Sequence, residues 1–264
     1  MSFTTPDTAP LTADEIARFG ENPLVTFRDN LGRVEERIVQ ACQRAGRRRN
    51  TVRLLPITKT VPANVLRYAY TAGMHSFGEN KIQEGLHKQS SLEDLAIEWS
   101  IVGHLQSNKV KFLTRIAREF HSLDSFNIAD LINTRLLHEQ RFLDVYIQVN
   151  TSDEKSKFGF SPNKLLPFIE SLENFPQLRP RGLMTLALFS SDMRKVRQCF
   201  RQLRDLRDDA VKINSGITEL CMGMSGDFEV AIEEGANVVR VGRALFGERQ
   251  KVNDFERSVL AGGH

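Results

Sequence analysis

Residues 219–247 read ELCMGMSGDFEVAIEEGANVVRVGRALFG, and the order of patterns in this stretch decides the fold class. Residues 219–222 and 237–241 have the length and apolar content of buried strands. Between them a helical pattern begins after Ser225, a residue type suited to an N-cap, and a short helical segment follows Gly242. The stretch therefore reads strand, loop, helix, strand, loop, helix. Working back toward the N-terminus, the same alternation recurs as far as Val52, with further strands expected at 52–57, 75–77, 98–102, 120–123, 144–149 and 181–184. Pro62 and Pro162 stand where first helical turns would begin, the latter behind Ser161, and Ser125 precedes another helical pattern. Val196, Phe200, Leu203, Leu206 and Ala210 mark one face of a long helix over 193–213.

Eight strands separated by helix-sized stretches predict an α/β protein, a single (β/α)8 TIM-type barrel, and the length of 264 residues suits one. A doubly wound open sheet would leave the last strands unexplained. Before the first strand, Phe27, Leu31, Val34, Ile38, Cys42 and Ala45 predict an extra N-terminal helix. Residues 1–22 lack periodicity and read as a flexible tail, which leaves 23–264 as the barrel domain. The basic run of Arg44, Arg47, Arg48 and Arg49 falls at a helix end, where cations complement the dipole.

In such a barrel, chemistry belongs at the C-terminal ends of the strands. Strand one ends in Thr58-Lys59-Thr60, strand two in Gly78-Glu79-Asn80-Lys81, and strand seven in Met222-Gly223-Met224-Ser225-Gly226. Gly223 and Gly226 flank Ser225, and Gly242 precedes the last helix; glycines let backbone N–H groups approach a phosphate, and the hydroxyl adds a donor. Ser225 reads equally well as an N-cap alone. Lys59 follows the apolar Leu54-Leu55-Pro56-Ile57, so partial desolvation would favour a neutral amine able to attack an aldehyde. A phosphate anchor with a recessed lysine suits pyridoxal 5′-phosphate (PLP), against the plainer reading of a surface loop lysine. Arg240, on strand eight, would either sit beside the pyridine nitrogen and keep it unprotonated or form a structural salt bridge with Glu233 or Glu234. His104 could stack or shuttle protons, Lys81 and Lys109 could attract phosphate, and Trp99 reads as core.

The 36 basic and 33 acidic side chains leave a formal net charge of +3, which gives no case for a nucleic-acid or membrane partner. Cys42, Cys199 and Cys221 are widely spaced, so neither a metal site nor a disulfide framework is expected. No apolar run approaches a bilayer-spanning length, and residues 1–10 lack the order of a signal peptide, so a reduced, cytoplasmic setting is expected.

Taken in order, the stretches resemble the PLP homeostasis proteins (the YggS/PROSC family), whose barrel is similar to the N-terminal domain of alanine racemase. The resemblance rests on Leu54 to Thr60, Phe77-Gly78-Glu79-Asn80 with Gln83-Glu84, Gly103-His104-Leu105-Gln106-Ser107-Asn108-Lys109 and His121-Ser122-Leu123-Asp124-Ser125. It continues through Gln148-Val149-Asn150-Thr151-Ser152, Ser156-Lys157-Phe158-Gly159, Arg181-Gly182-Leu183-Met184-Thr185, Met222 to Phe228, and Glu233 to Gly247. It implies that Lys59 carries PLP as an internal aldimine, that Ser225 with the backbone around Gly242 and Arg243 holds the phosphate, that Arg240 meets the pyridine nitrogen, and that Asn80 lies beside the ring. Thr58, Lys81 and Ser100 stand where the family often has Ser, Tyr and His, and Arg243 replaces a small hydroxyl residue that helps hold the phosphate.

The resemblance implies a PLP-binding protein of vitamin B6 and amino-acid balance, with no catalytic residue, no metal, apo-enzymes as recipients, and a monomer or weak dimer. The alternative is a PLP-dependent enzyme with a narrow reaction on amino acids. Racemisation needs a tyrosine base from a second domain, and Tyr68, Tyr70 and Tyr146 do not fall at strand tips.

Overall fold

The computed structural model describes residues 6, 8–154 and 156–248. Eight parallel strands form one sheet: β1 (Arg53–Pro56), β2 (Ser76–Glu79), β3 (Glu98–Ile101), β4 (Glu119–Leu123), β5 (Leu143–Gln148), β6 (Leu178–Met184), β7 (Glu219–Cys221) and β8 (Val238–Val241). Among the described residues ten α-helices accompany them: α1 (Ala13–Phe19), α2 (Pro23–Arg44), α3 (Ala63–Thr71), α4 (Ile82–Ser91), α5 (Val110–Ile116), α6 (Phe126–Glu139), α7 (Pro162–Glu170), α8 (Met193–Ile213), α9 (Phe228–Glu233) and α10 (Arg243–Phe246). The ladder runs β1-β8-β7-β6-β5-β4-β3-β2, so the last strand pairs with the first. Between β1 and β2 the barrel closes through one parallel bridge, Ile57 with Gly78, and the hydrogen bond from Thr58 N–H to the Gly78 carbonyl at 3.0 Å.

All eight expected strands are present. The largest difference lies in β6, which begins at Leu178 rather than 181. Pro180 and Arg181 hide that start, because a register shift between Val145 and Tyr146 of β5 accommodates them opposite one partner step. Helix starts follow the sequence signals in part. Ser125 accepts a hydrogen bond from Ile128 N–H at 3.3 Å, as its place before a helical pattern implied. Asn22, which the sequence did not single out, accepts one from Val25 N–H at 3.3 Å. Ser161 occupies the N-cap position of α7, but its hydroxyl bonds Asn163 Oδ1 at 2.7 Å and caps nothing. Ser225 does not cap α9 either, since that helix starts three residues beyond it, at Phe228, with Asp227 in the N-cap position.

The main core lies between strands and helices, with Phe77, Phe120, Phe168, Phe200 and Phe228 all buried, and Trp99 among them. Inside the barrel, Leu55, Tyr146, Met184, Cys221 and Val238 form a separate small cluster. Below it, the first residues of β1, β4 and β7 bring Arg53, Glu119 and Glu219 together. One Arg53 nitrogen lies 3.0 Å from both Glu119 oxygens, His121 Nε2 lies 2.9 Å from Glu119, and the Tyr146 hydroxyl donates to Glu219 at 2.5 Å.

The segment read as a loose tail contains a helix that its composition did not announce. Thr12 and Glu15 form a capping box at the start of α1, satisfying two orphan N–H groups at once. Phe19 ends the helix, 2% exposed, with its ring edge-on to Phe27 at 5.9 Å, which in turn meets Phe246 at 5.3 Å. Phe19→Ala should cost about 3 kcal/mol by opening a void that Phe27 and Phe246 cannot fill. A shifted urea midpoint checks it, and a cost near zero would show that α1 is not part of the cooperative unit. The basic run also has definite partners: Arg44 meets Glu233, Arg49 meets Glu35, and Arg47 donates to the Ile232 carbonyl. Among the described residues no helix is long and apolar enough to cross a membrane.

Candidate functional site

A cleft of about 740 Å³ opens at the C-terminal ends of the strands. Lys59, Asn80, Ser225, Arg240, Gly242 and Arg243 all line it, although they come from the loops after β1, β2 and β7 and from β8 and its following turn. Lys59 is half-buried and Asn80 exposed. Asn80 is flanked closely by Gly103, where a Cβ would stand 2.1 Å from the Asn80 carbonyl oxygen, so only glycine lets the chain after β3 cross here.

The turn carrying Lys59 is tied down on three sides. Lys88 Nζ donates to the Thr58 carbonyl at 2.8 Å, Glu84 accepts the Thr60 N–H at 2.6 Å, and Arg18 donates to the Thr60 carbonyl at 2.7 Å. Thr60 itself has φ of 65°, a left-handed value that a β-branched residue rarely adopts. Burial pushes the Glu79 carboxyl upward despite Lys88 beside it. For Glu84 burial acts the same way, but hydrogen bonds from Lys88 and the Thr60 N–H outweigh it and hold the group below the usual range.

Across the cleft, Ser225 Oγ accepts from the backbone N–H groups of Gly242 and Ala244, each at 3.3 Å. Two main-chain donors thus converge on the serine hydroxyl, at the point where the sequence placed an anion site. Gly223, with φ of 97°, starts the turn that delivers Ser225 there, and a Cβ on it would lie 2.6 Å from Ala231 Cβ. Asp227 shapes the same turn by accepting the Met224 N–H at 2.5 Å, and its carboxyl is pushed up by burial. The Arg243 guanidinium is largely exposed and lies 3.8 Å from Glu248.

Arg240 is 4% exposed. The alternative that it pairs with Glu233 or Glu234 is overturned, because those carboxylates are taken by Arg44, Arg197, Arg201 and Arg204 on the outer face. Arg240 instead donates from Nη2 to the Thr185 carbonyl at 3.0 Å, and its Nε is buried with no hydrogen-bond partner among the described residues. An unsatisfied buried donor is costly, and an acceptor placed in the cleft would remove that cost. Behind it, burial would raise the Cys221 thiol, but His121 and Arg240 pull it down.

Other sequence candidates lie elsewhere. His104 is not among the cleft residues: its Nδ1 is 2.7 Å from Asp124, and its ring stacks on Phe158 at 3.7 Å. Lys81, Lys109 and the three tyrosines are also absent from the lining. Sequence reading missed Lys157, which donates to the Ala187 carbonyl at 2.9 Å, and the loop 186–190 after β6. Nothing glycine-rich or charged marks that loop, yet its place after a strand end was signal enough.

The chain matches the family model described as alanine racemase, N-terminal domain, over residues 30–250. It is 45% identical to the pyridoxal phosphate homeostasis protein of Aquifex aeolicus over 223 residues, 84% of this chain and 98% of that one. With the protein of the same name from Pseudomonas aeruginosa it shares 41% over 224 residues, 85% and 96% of the two chains. Among solved structures, PipY of Synechococcus elongatus with PLP bound superposes with a TM-score of 0.72 at 33% identity, covering 81% of this chain and all of that one. Alanine racemase from Corynebacterium glutamicum, at 15% identity and a TM-score of 0.65, shares the fold over 87% of this chain and 63% of its own. On these matches, the chain belongs to the family of pyridoxal phosphate homeostasis proteins, built on the barrel of the alanine racemase N-terminal domain.

Proposed function

We propose that the chain binds PLP in this cleft through Lys59 and serves intracellular PLP homeostasis as a carrier rather than as an enzyme. The observation that carries the reading is convergence: an amine from β1, two backbone N–H groups with a serine hydroxyl after β7 and β8, and the unsatisfied Nε of Arg240 share one cleft. Each suits a different part of the cofactor. Lys59 would make the covalent link to the aldehyde, while Ser225 and the Gly242 and Ala244 N–H groups would hold the phosphate. Arg243 contributes main chain rather than guanidinium, and Asn80 would flank the ring. When bound, PLP supplies an electrophilic carbonyl and an electron-withdrawing ring.

Arg240 decides how much chemistry that ring could support. Guanidinium only donates hydrogen bonds, so it fits an unprotonated pyridine nitrogen and disfavours the protonated form that stabilises carbanions. No tyrosine lines the cleft; Tyr146 lies in the barrel interior, bonded to Glu219 and Arg53. Both points support storage and delivery over racemisation. The recipients would be PLP-dependent apo-enzymes, met in the cytoplasm by a monomer or weak dimer.

Hydride reduction of protein saturated with PLP, followed by peptide mapping, tests the reading. A pyridoxyl group on Lys59 is expected; one on another lysine, or none, overturns it. Transfer of PLP to an apo-enzyme without turnover of an amino-acid panel then separates carrier from enzyme.

A further inference from the structure

Lys88 stands on α4, outside the cleft lining, yet its ammonium is directed to the Thr58 carbonyl, in the peptide group that precedes the Lys59 Cα. The side chain is buried, 3% exposed, and its three donors are all engaged: by the Thr58 carbonyl at 2.8 Å, Glu79 Oε1 at 2.6 Å and Glu84 Oε1 at 2.7 Å. The same Glu84 oxygen accepts the Thr60 N–H at 2.6 Å, and the same Glu79 oxygen accepts the Thr58 hydroxyl at 2.6 Å. Thus the peptide group on each side of the Lys59 Cα ends in one buried ion cluster.

Packing alone does not account for such a cluster, because an apolar side chain of similar volume stabilises a core as well or better. Geometry does. Thr60 is held at φ of 65°, a conformation a threonine leaves unless its neighbours over-determine it. We propose that Lys88, acting through Glu79 and Glu84, is the positioning device that holds the Lys59 turn in its left-handed form and so directs the lysine into the cleft. Lys88, Glu79 and Glu84 are not among the residues lining the cleft; the cluster works through the backbone. The proposal rests on the role given to Lys59 above.

Glu84→Ala and Glu84→Gln, made in the full chain, test it. Both remove the charge, but only glutamine keeps an oxygen for the Thr60 N–H and for Lys88. In protein free of cofactor, hydrogen exchange in peptides spanning Thr60 should quicken about tenfold in Glu84→Ala and stay near wild type in Glu84→Gln. PLP affinity should fall about tenfold in the alanine variant and within about twofold in the glutamine variant. Glu84 is partly exposed, so both variants should fold; Lys88→Met, with a larger expected effect on exchange, is the harsher companion and the Glu84 pair decides without it. Equal exchange in Glu84→Ala and wild type overturns the proposal, as does faster exchange with unchanged affinity. Absence of a trapped adduct on Lys59 in wild type instead overturns the cofactor reading, while the exchange measurement still decides whether the cluster holds the turn.

Discussion

Replacing Glu119 by alanine should lower the free energy of unfolding by about 3 kcal/mol, because it leaves the buried His121 and the half-exposed Arg53 without their counter-charge. Glu119 sits inside the barrel, meeting Arg53 through both oxygens, His121 at 2.9 Å and the Ser100 hydroxyl at 3.2 Å. Burial alone would raise its carboxyl, but the hydrogen bond and charge of His121, with Arg53, hold it down at about 2. His121 moves the other way: burial would lower it, and Cys221 and Glu119 raise it. The signs then fix the pH dependence. A carboxyl depressed in the folded state contributes in full above its ordinary value of 4.5, and that contribution is lost as pH falls from there through about 2. A histidine that is raised contributes in full below its ordinary value of 6.5 and loses that contribution as pH rises through its raised value. Urea midpoints measured across pH should therefore fall on both flanks in wild type, and Glu119→Ala should flatten the acid flank. A cost below about 1 kcal/mol, typical of an exposed pair, would mean that water reaches this cluster.

The second large effect is on binding. Lys59→Ala should abolish the hydride-trapped adduct and weaken PLP binding by about 100-fold, leaving phosphate contacts through Ser225 and the Gly242 and Ala244 N–H groups. Lys59 is half-buried at the cleft and outside the barrel cores, so the unfolding midpoint should stay near that of wild type. Absorbance titration of the two proteins reads the difference directly. Unchanged visible absorbance in the alanine variant would place the covalent link on another amine.

What the sequence disclosed follows from what each residue type reveals locally. Strands such as β5 and β8 announce themselves because parallel strands covered on both sides are predominantly apolar, as Val145 and Ile147 in one and Val238, Val239 and Val241 in the other show. Lys59, Ser225 and Arg240 were legible because a barrel places strand ends and their loops on one face, so position alone proposes a site. Lys88, Glu79 and His121 were not legible as buried groups, nor Glu119 as a half-buried one. In a sequence, a lysine on an amphipathic helix or a glutamate at a strand start reads as a solvated charge, and only the folded partners make its burial tolerable. The same limit explains α1: Phe19 follows a polar run, and nothing local shows that Phe27 and Phe246 wait for it.

The pairing of the last strand with the first carries one more consequence, for the order of events during synthesis. Residue 53 aligns with residue 238, and the cleft draws Lys59 from one end of the chain and Ser225, Arg240 and Gly242 from the other. On the ribosome, which releases a chain from its N-terminus onward, the amine emerges long before the groups that would grip a phosphate. A nascent chain thus has no high-affinity pocket until β8 and the turn after it are made, and cofactor capture becomes a report that the barrel has closed.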